Sequence, residues 1–229
     1  MSSFTVNWFA SSLNPWHEES KSKALINIDS LILAFPERWF FGRENTGDIF
    51  DLESLFDTFE EKVHLATSDG GFDCSAEPEK QEEISAELKM AEYQGLISRL
   101  ALHGCAVLKL FACCHESTLQ ILESSANGFE AVYVTKPASS KAGNSEIYLV
   151  MIGFLGQAAA ELKPNTHSFL AMAFPIINHF ITRQKTAISD NLQAAPNLNA
   201  DSDQLVEAVS RRQFTRWNLK GKGLLQKMN

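Results

Sequence analysis

Seven consecutive residues, Cys105-Ala-Val-Leu-Lys-Leu-Phe111, constrain the fold of this chain more than any other segment. So nearly apolar a run reads as a central strand covered on both faces, the arrangement of a sheet sandwiched between helices. Three more segments read as strands: Val63–Ser68, Phe129–Thr135 and Ile147–Phe154. Helical spacing fills the gaps. A long helix is expected from Glu79 to Leu102, with Ile84, Leu88, Ala91, Ile97 and Leu100 as its inner stripe and Gly104 at C′. A second helix is expected from His115 to Ala126. Strands alternating with helices imply βαβ units and a mostly parallel sheet. The connection from Phe129 to Ile147 is short and hairpin-like, so the last strand is expected to run antiparallel to its neighbour.

Upstream the pattern is weaker. Phe4–Leu13 is expected as a short strand stopped by Pro15, and Arg38–Gly42 as another. The polar loop Gly42–Asp48 then leads into a helix with Asp51 as N-cap. Downstream the character changes near Gly156. Residues 1–156 are expected to form the α/β domain and residues 157–229 a helical extension. That extension reads as an apolar helix Ser168–Lys185, a linker over 194–203, and a basic helix Gln204–Leu219.

The net charge is −8, but it is unevenly spread. Residues 204–229 hold six bases (Arg211, Arg212, Arg216, Lys220, Lys222, Lys227) against Glu207, while residues 1–203 hold fourteen bases and twenty-seven acids. A phosphate-binding tail on an acidic body and a solvated basic helix both fit this asymmetry. The four cysteines (Cys74, Cys105, Cys113, Cys114) show no CxxC spacing, and the six histidines no HxH or HExxH spacing, so no metal site is expected and buried free thiols are. Met1–Asn14 lacks the form of a secretory leader, and Ile147–Leu155 is too short to cross a bilayer, so an intracellular protein with no membrane partner is expected.

Open α/β sheets do their chemistry beyond the carboxyl ends of the parallel strands. Asp69 sits at such an end, before Gly70-Gly71. Lys109 lies near the end of the apolar strand, where a lone lysine is expensive to bury without a partner. An antiparallel last strand brings its first residue, Glu146, to the same edge. Asp69, Lys109 and Glu146 are therefore expected to converge, either as a catalytic group or as a structural ion pair with a snorkelling lysine.

The segments DGGFDC (Asp69–Cys74), VLKLF (Val107–Phe111) and KPASSKAGNSEIYLV (Lys136–Val150) resemble the later motifs of the FtsJ-like ribose 2′-O-methyltransferases. SLNPWHE (Ser12–Glu18), NTGD (Asn45–Asp48) and QEE (Gln81–Glu83) narrow the resemblance to the subgroup that methylates the second transcribed nucleotide of capped mRNA. It extends over roughly Asn7 to Gly156. The resemblance implies a Rossmann-like methyltransferase sheet, S-adenosylmethionine as methyl donor, the capped mRNA 5′ end as partner, and work in nucleus and cytoplasm. It also implies three members of a Lys-Asp-Lys-Glu catalytic tetrad: Asp69, Lys109 and Glu146. Asp48 is implied beside the donor's adenine, with a helix N-cap as its plain alternative, and Asp69 beside the sulfonium. The loop residues Lys136, Ser139, Ser140 and Asn144 are implied to contact RNA; an ordinary solvated loop is the alternative.

The 229 residues contain no APGGF-type glycine loop, which in this family holds the donor's methionine moiety, and no upstream tetrad lysine. The expected sheet thus lacks its first strand and helix. Two functional expectations stand side by side: a cap 2′-O-methyltransferase, and a non-catalytic RNA-binding or interaction relative of one.

Overall fold

The computed structural model describes residues 6–20, 29–57, 59–74, 76–137, 140–161 and 166–194. Its helices and strands are α1 (Asp29–Ala34), α2 (Leu52–Phe56), β1 (Val63–Ser68), α3 (Gln81–Arg99), β2 (Leu100–Phe111), α4 (Glu116–Gly128), β3 (Phe129–Thr135), β4 (Glu146–Phe154), α5 (Gln157–Ala160) and α6 (Thr166–Ala194). The four strands form one sheet in the order β1-β2-β4-β3. β1 pairs parallel with β2, whereas β4 lies antiparallel between β2 and β3. The last strand is therefore reversed, as its short connection predicts, and it enters the sheet at the edge where β1 and β2 end.

The apolar alternation of β2 and β4 sends Ala106, Leu108, Leu110, Ile147, Leu149 and Met151 to one buried face. There they meet Tyr93 and Leu96 of α3 and Ile121 and Leu122 of α4. α6 contributes Ala173 and Ile177 to the same core. This burial supplies most of the drive for folding, about 1.5–3 kcal/mol for each large aliphatic side chain.

Several expectations are corrected. α3 begins at Gln81, after a 3-10 turn over Pro78–Lys80, and ends at Arg99 rather than Leu102. Gly104 is no helix C′ residue but lies inside β2, which starts at Leu100. The register shows why. Val63 pairs with Leu100 and Leu65 with Cys105, so β2 carries extra residues opposite one residue of β1. His103 absorbs the irregularity with φ 62°. Leu88 and Ala91 are buried as expected, but Ile84 is 42% exposed, and the inner face of α3 also carries Ser85, Lys89 and Glu92.

The two expected amino-terminal strands reduce to a single parallel bridge between Ala10 and Trp39. Ala10 N–H donates to Arg38 O at 2.8 Å and Phe40 N–H to Ala10 O at 3.0 Å. Pairing stops there, since Pro36 opens a 3-10 turn just before it and Gly42 turns the chain with φ 77° just after. Phe4 and Thr5 lie outside the described residues. Asp51 does cap α2, its carboxylate accepting from Ser54 N–H at 2.9 Å. The apolar helix expected over Ser168–Lys185 is longer, Thr166–Ala194; most of the expected linker and the basic helix Gln204–Leu219 lie outside the described residues. Of the cysteines, Cys74 and Cys113 are buried, Cys105 is half-buried and Cys114 is exposed, which corrects the expectation that all four thiols are buried.

Candidate active site

Strand register alone assembles the site. Ser68 pairs with Leu108, so Asp69 follows beside Lys109 at the ends of two parallel strands. Across the antiparallel pair, Lys109 faces Tyr148 and Phe111 faces Glu146. Side chains two apart share a sheet face, so Lys109, Tyr148 and Glu146 project to one side, with Glu146 diagonal to Lys109. Lys109 Nζ lies 4.0 Å from Glu146 Oε1, with side-chain exposures of 15% and 23%. A Cβ built on Gly71 would stand 4.0 Å from Lys109 Nζ, with no nearer atom beyond its chain neighbours, so Gly71 sets a bare backbone beside the ammonium. Asp69 is exposed at this edge, within electrostatic reach of Tyr148 and of Lys89 on α3.

Glu146 is held from several directions. Its Oε2 accepts from Ser140 Oγ at 3.0 Å and Asn144 Nδ2 at 3.3 Å, and its Oε1 from Tyr148 Oη at 3.2 Å. Burial opposes its ionisation, but these hydrogen bonds and the Lys109 charge prevail and hold its carboxyl below the usual range. A carboxylate with a depressed native pKa stabilises the fold above its unfolded pKa, about 4.3, and loses that contribution as pH falls through the native value. The urea midpoint of wild type minus that of Glu146→Gln should therefore shrink on acidification from about pH 5 to about pH 3. A difference independent of pH would contradict this electrostatic account.

Lys136 spends its ammonium on the loop that follows, donating to Glu146 O at 2.6 Å, Asn144 O at 3.1 Å and Asn144 Oδ1. Burial lowers its pKa against the pull of Glu146. Lys136, Ser140 and Asn144 thus fold inward around Glu146, and Ser139 lies outside the described residues. Asp48 does not cap a helix. Its carboxylate accepts from Phe50 N–H at 3.0 Å in a turn of its own, and Asp51 takes the N-cap. The neighbouring Ile49 packs against the Gly95 position of α3, three residues beyond Glu92.

The sequence reading missed Tyr148, Lys89, Glu92 and Glu82. Tyr148 was detectable as the residue two beyond Glu146 on one strand face. Glu82, within the QEE segment, accepts from Cys114 N–H at 2.8 Å and His115 N–H at 2.9 Å, securing the entry to α4 after two left-handed residues, Ala112 and Cys113. Among the described residues no cluster of His, Cys, Asp and Glu could hold a metal ion, and no helix is long and apolar enough to cross a membrane.

These features define an α/β protein of the Rossmann-like kind, with its polar site where parallel strands end and a reversed strand begins. The chain belongs to the FtsJ-like methyltransferase family, whose model matches residues 8–154. The cap-specific mRNA (nucleoside-2′-O-)-methyltransferase 2 of Mus musculus is 36% identical over 160 residues, covering 68% of this chain and 21% of that protein. Its counterpart in Danio rerio is 37% identical over 163 residues, covering 69% and 22%. The cap-specific mRNA (nucleoside-2′-O-)-methyltransferase 1 of Trypanosoma brucei brucei is 41% identical over 129 residues, covering 53% and 35%. The chain spans about a fifth of the length of the mouse and zebrafish relatives.

Proposed function

We propose that this site transfers a methyl group from S-adenosylmethionine to a ribose 2′-hydroxyl of capped mRNA, at the second transcribed nucleotide. The observation that carries the reading is Lys109, set 4.0 Å from a multiply hydrogen-bonded Glu146 and beside Gly71, where a built Cβ would stand 4.0 Å from the ammonium. The nucleotide preference leans on similarity to the two cap-specific methyltransferases 2.

A bare backbone at Gly71 fits a donor approaching the ammonium, since a side chain there would stand next to Lys109 Nζ, in the donor's way. Asp69 and Asp48 are the residues that would hold the donor. S-adenosylmethionine, when bound, supplies an electrophilic methyl on sulfonium. A ribose hydroxyl is a poor nucleophile at neutral pH, so the protein's work lies in orientation and charge. Lys109 hydrogen-bonds the attacking 2′-oxygen and stabilises the negative charge that grows on it as its proton passes to solvent water. Glu146 fixes the direction of the Lys109 ammonium, and Asp69 flanks it from the neighbouring strand. Ser140 and Asn144, by gripping Glu146, act on the lysine at one remove, while the exposed Lys141 on the same loop suits phosphate contact.

The test is calorimetry with S-adenosylmethionine, followed by transfer of labelled methyl to capped RNA and digestion to locate it. Label at a ribose 2′-oxygen supports the reading. Absence of donor binding at protein concentrations suited to micromolar affinity sinks catalysis by this chain. Salt-sensitive RNA binding that survives Lys109→Ala and disappears on deleting residues 204–229 would instead favour a binding module. Gly71→Ala should fold as well as wild type, because beyond its chain neighbours no heavy atom lies closer than 4.0 Å to the added methyl. It should nevertheless weaken donor binding by about 10-fold or more, the usual effect of one misplaced methyl group in a binding pocket. Unaltered donor affinity would remove Gly71 from the site.

A further inference from the structure

We propose that Lys89 and Glu92 of α3 are positioning residues that hold the Asp69 loop against Lys109 by grasping both backbone groups of Gly70. Glu92 Oε1 accepts from Gly70 N–H at 2.6 Å and from Ser68 Oγ at 2.5 Å. Lys89 Nζ donates to Gly70 O at 2.5 Å and to Glu92 Oε2 at 2.6 Å. The two residues on either side of Asp69 are thereby tied to one turn of one helix. Both side chains are buried, Lys89 at 2% and Glu92 at 4% exposure.

Stability alone does not account for such a pair. Two charges withdrawn from water recover their hydration only with good geometry, and well-packed apolar replacements are often at least as stable. What apolar side chains cannot reproduce is the grip on a glycine backbone. Gly70 itself is required by that grip, since a Cβ there would meet Glu92 Oε1 at 2.5 Å. Lys89 also shares the Phe111 ring with the candidate catalytic lysine: Lys89 Nζ lies 5.5 Å and Lys109 Nζ 5.9 Å from its centroid. The clamp and the site therefore meet at one aromatic ring as well as through the Ser68–Gly70 backbone.

The catalytic consequence rests on the methyl-transfer reading; the clamp itself does not, and the two are tested separately. The 229-residue chain is compared with Lys89→Met/Glu92→Leu and with Lys89→Met/Glu92→Gln. The apolar double variant should keep its thermal midpoint and most amide protection, yet lose protection at the Gly70 N–H by about 10- to 100-fold, as expected for a hydrogen bond to a charged acceptor. The glutamine version retains an acceptor and should restore much of that protection. Undiminished Gly70 protection in the folded apolar variant overturns the clamp, as does a loss spread evenly over all amides. If the apolar variant fails to fold, the glutamine version decides, since Gly70 protection at or above that of its unperturbed neighbours is then required. In the transfer assay the apolar variant should lower kcat by about 100-fold, the scale of a small misplacement of a reacting group, with KM for capped RNA little changed. A clamp shown by exchange but without effect on kcat overturns the positioning role. A wild-type chain with no transfer activity defeats the methyl-transfer reading and the positioning role with it, leaving the clamp for exchange to judge.

Discussion

Lys109→Met is expected to lower methyl transfer by about 10²- to 10⁴-fold, the usual contribution of a positioned acid–base or hydrogen-bonding group. The fold should survive. The aliphatic stem of methionine follows the path of the lysine stem, and the lysine side chain is only 15% exposed, so the substitution removes a partly buried charge without opening a cavity. Glu146 would lose its neighbouring cation but keep three hydrogen bonds, from Ser140, Asn144 and Tyr148. An unfolded variant is therefore not the expected cause of lost activity, and circular dichroism distinguishes the two. Transfer within about 5-fold of wild type would mean that Lys109 does not touch the reacting oxygen, because even a modest catalytic hydrogen bond exceeds that. Lys136→Met should behave differently. That ammonium binds Glu146 O and Asn144, so its loss loosens the loop first and reaches Lys109 only through Glu146.

The contrast between these two lysines shows what a sequence does and does not disclose. Lys109 interrupts an apolar strand, and the strand's end, its parallel neighbour and the reversed Glu146 follow from period-two patterning and connection length. Hence the approach of Lys109 and Glu146 at the sheet edge where β1 ends was legible. Lys136 begins a loop, and no periodicity tells whether a loop lysine turns outward to solvent or inward to Asn144. The same limit appears on α3. Apolar spacing placed Leu88 and Ala91 inside correctly and Ile84 wrongly, while Lys89 and Glu92, which face Gly70, escaped it because a buried charged pair contributes nothing to a hydrophobic pattern. Gly104 suggested a helix end because glycine so often supplies one, whereas the left-handed residue in this stretch is His103, inside a strand irregularity set by pairing with β1. Tertiary pairing outweighed local preference there.

A second large effect is expected at a backbone position, Gly47 of the NTGD segment. Its φ is +67°, and a Cβ built there would stand 1.8 Å from Ser12 O. Gly47→Ala would add about 1–2 kcal/mol for a left-handed residue bearing a Cβ and about 1–3 kcal/mol for overpacking. Retreat of either segment is blocked by the hydrogen bonds that join them. Asn14 N–H donates to Thr46 O at 2.8 Å, Asn14 Nδ2 to Asn45 O at 2.8 Å, and Gly47 N–H to Phe41 O at 2.8 Å. Against a typical stability of about 5–15 kcal/mol, a loss of about 2–5 kcal/mol would be plain in a urea titration. Asn14→Ala should act in the same direction but less, about 1–3 kcal/mol, by leaving the Asn45 carbonyl unpaired. If Gly47→Ala unfolds within about 0.5 kcal/mol of wild type, the range of ordinary surface substitutions, then Ser12–Asn14 and Asn45–Gly47 do not pack as described. The effect has a functional edge as well. Asp48 follows Gly47 directly, and its turn through Phe50 N–H depends on the same backbone. On the proposed reading, in which Asp48 holds the donor, even a folded fraction of Gly47→Ala should bind S-adenosylmethionine more weakly than wild type, while Asn14→Ala, which leaves the Gly47 conformation intact, should bind it nearly as well.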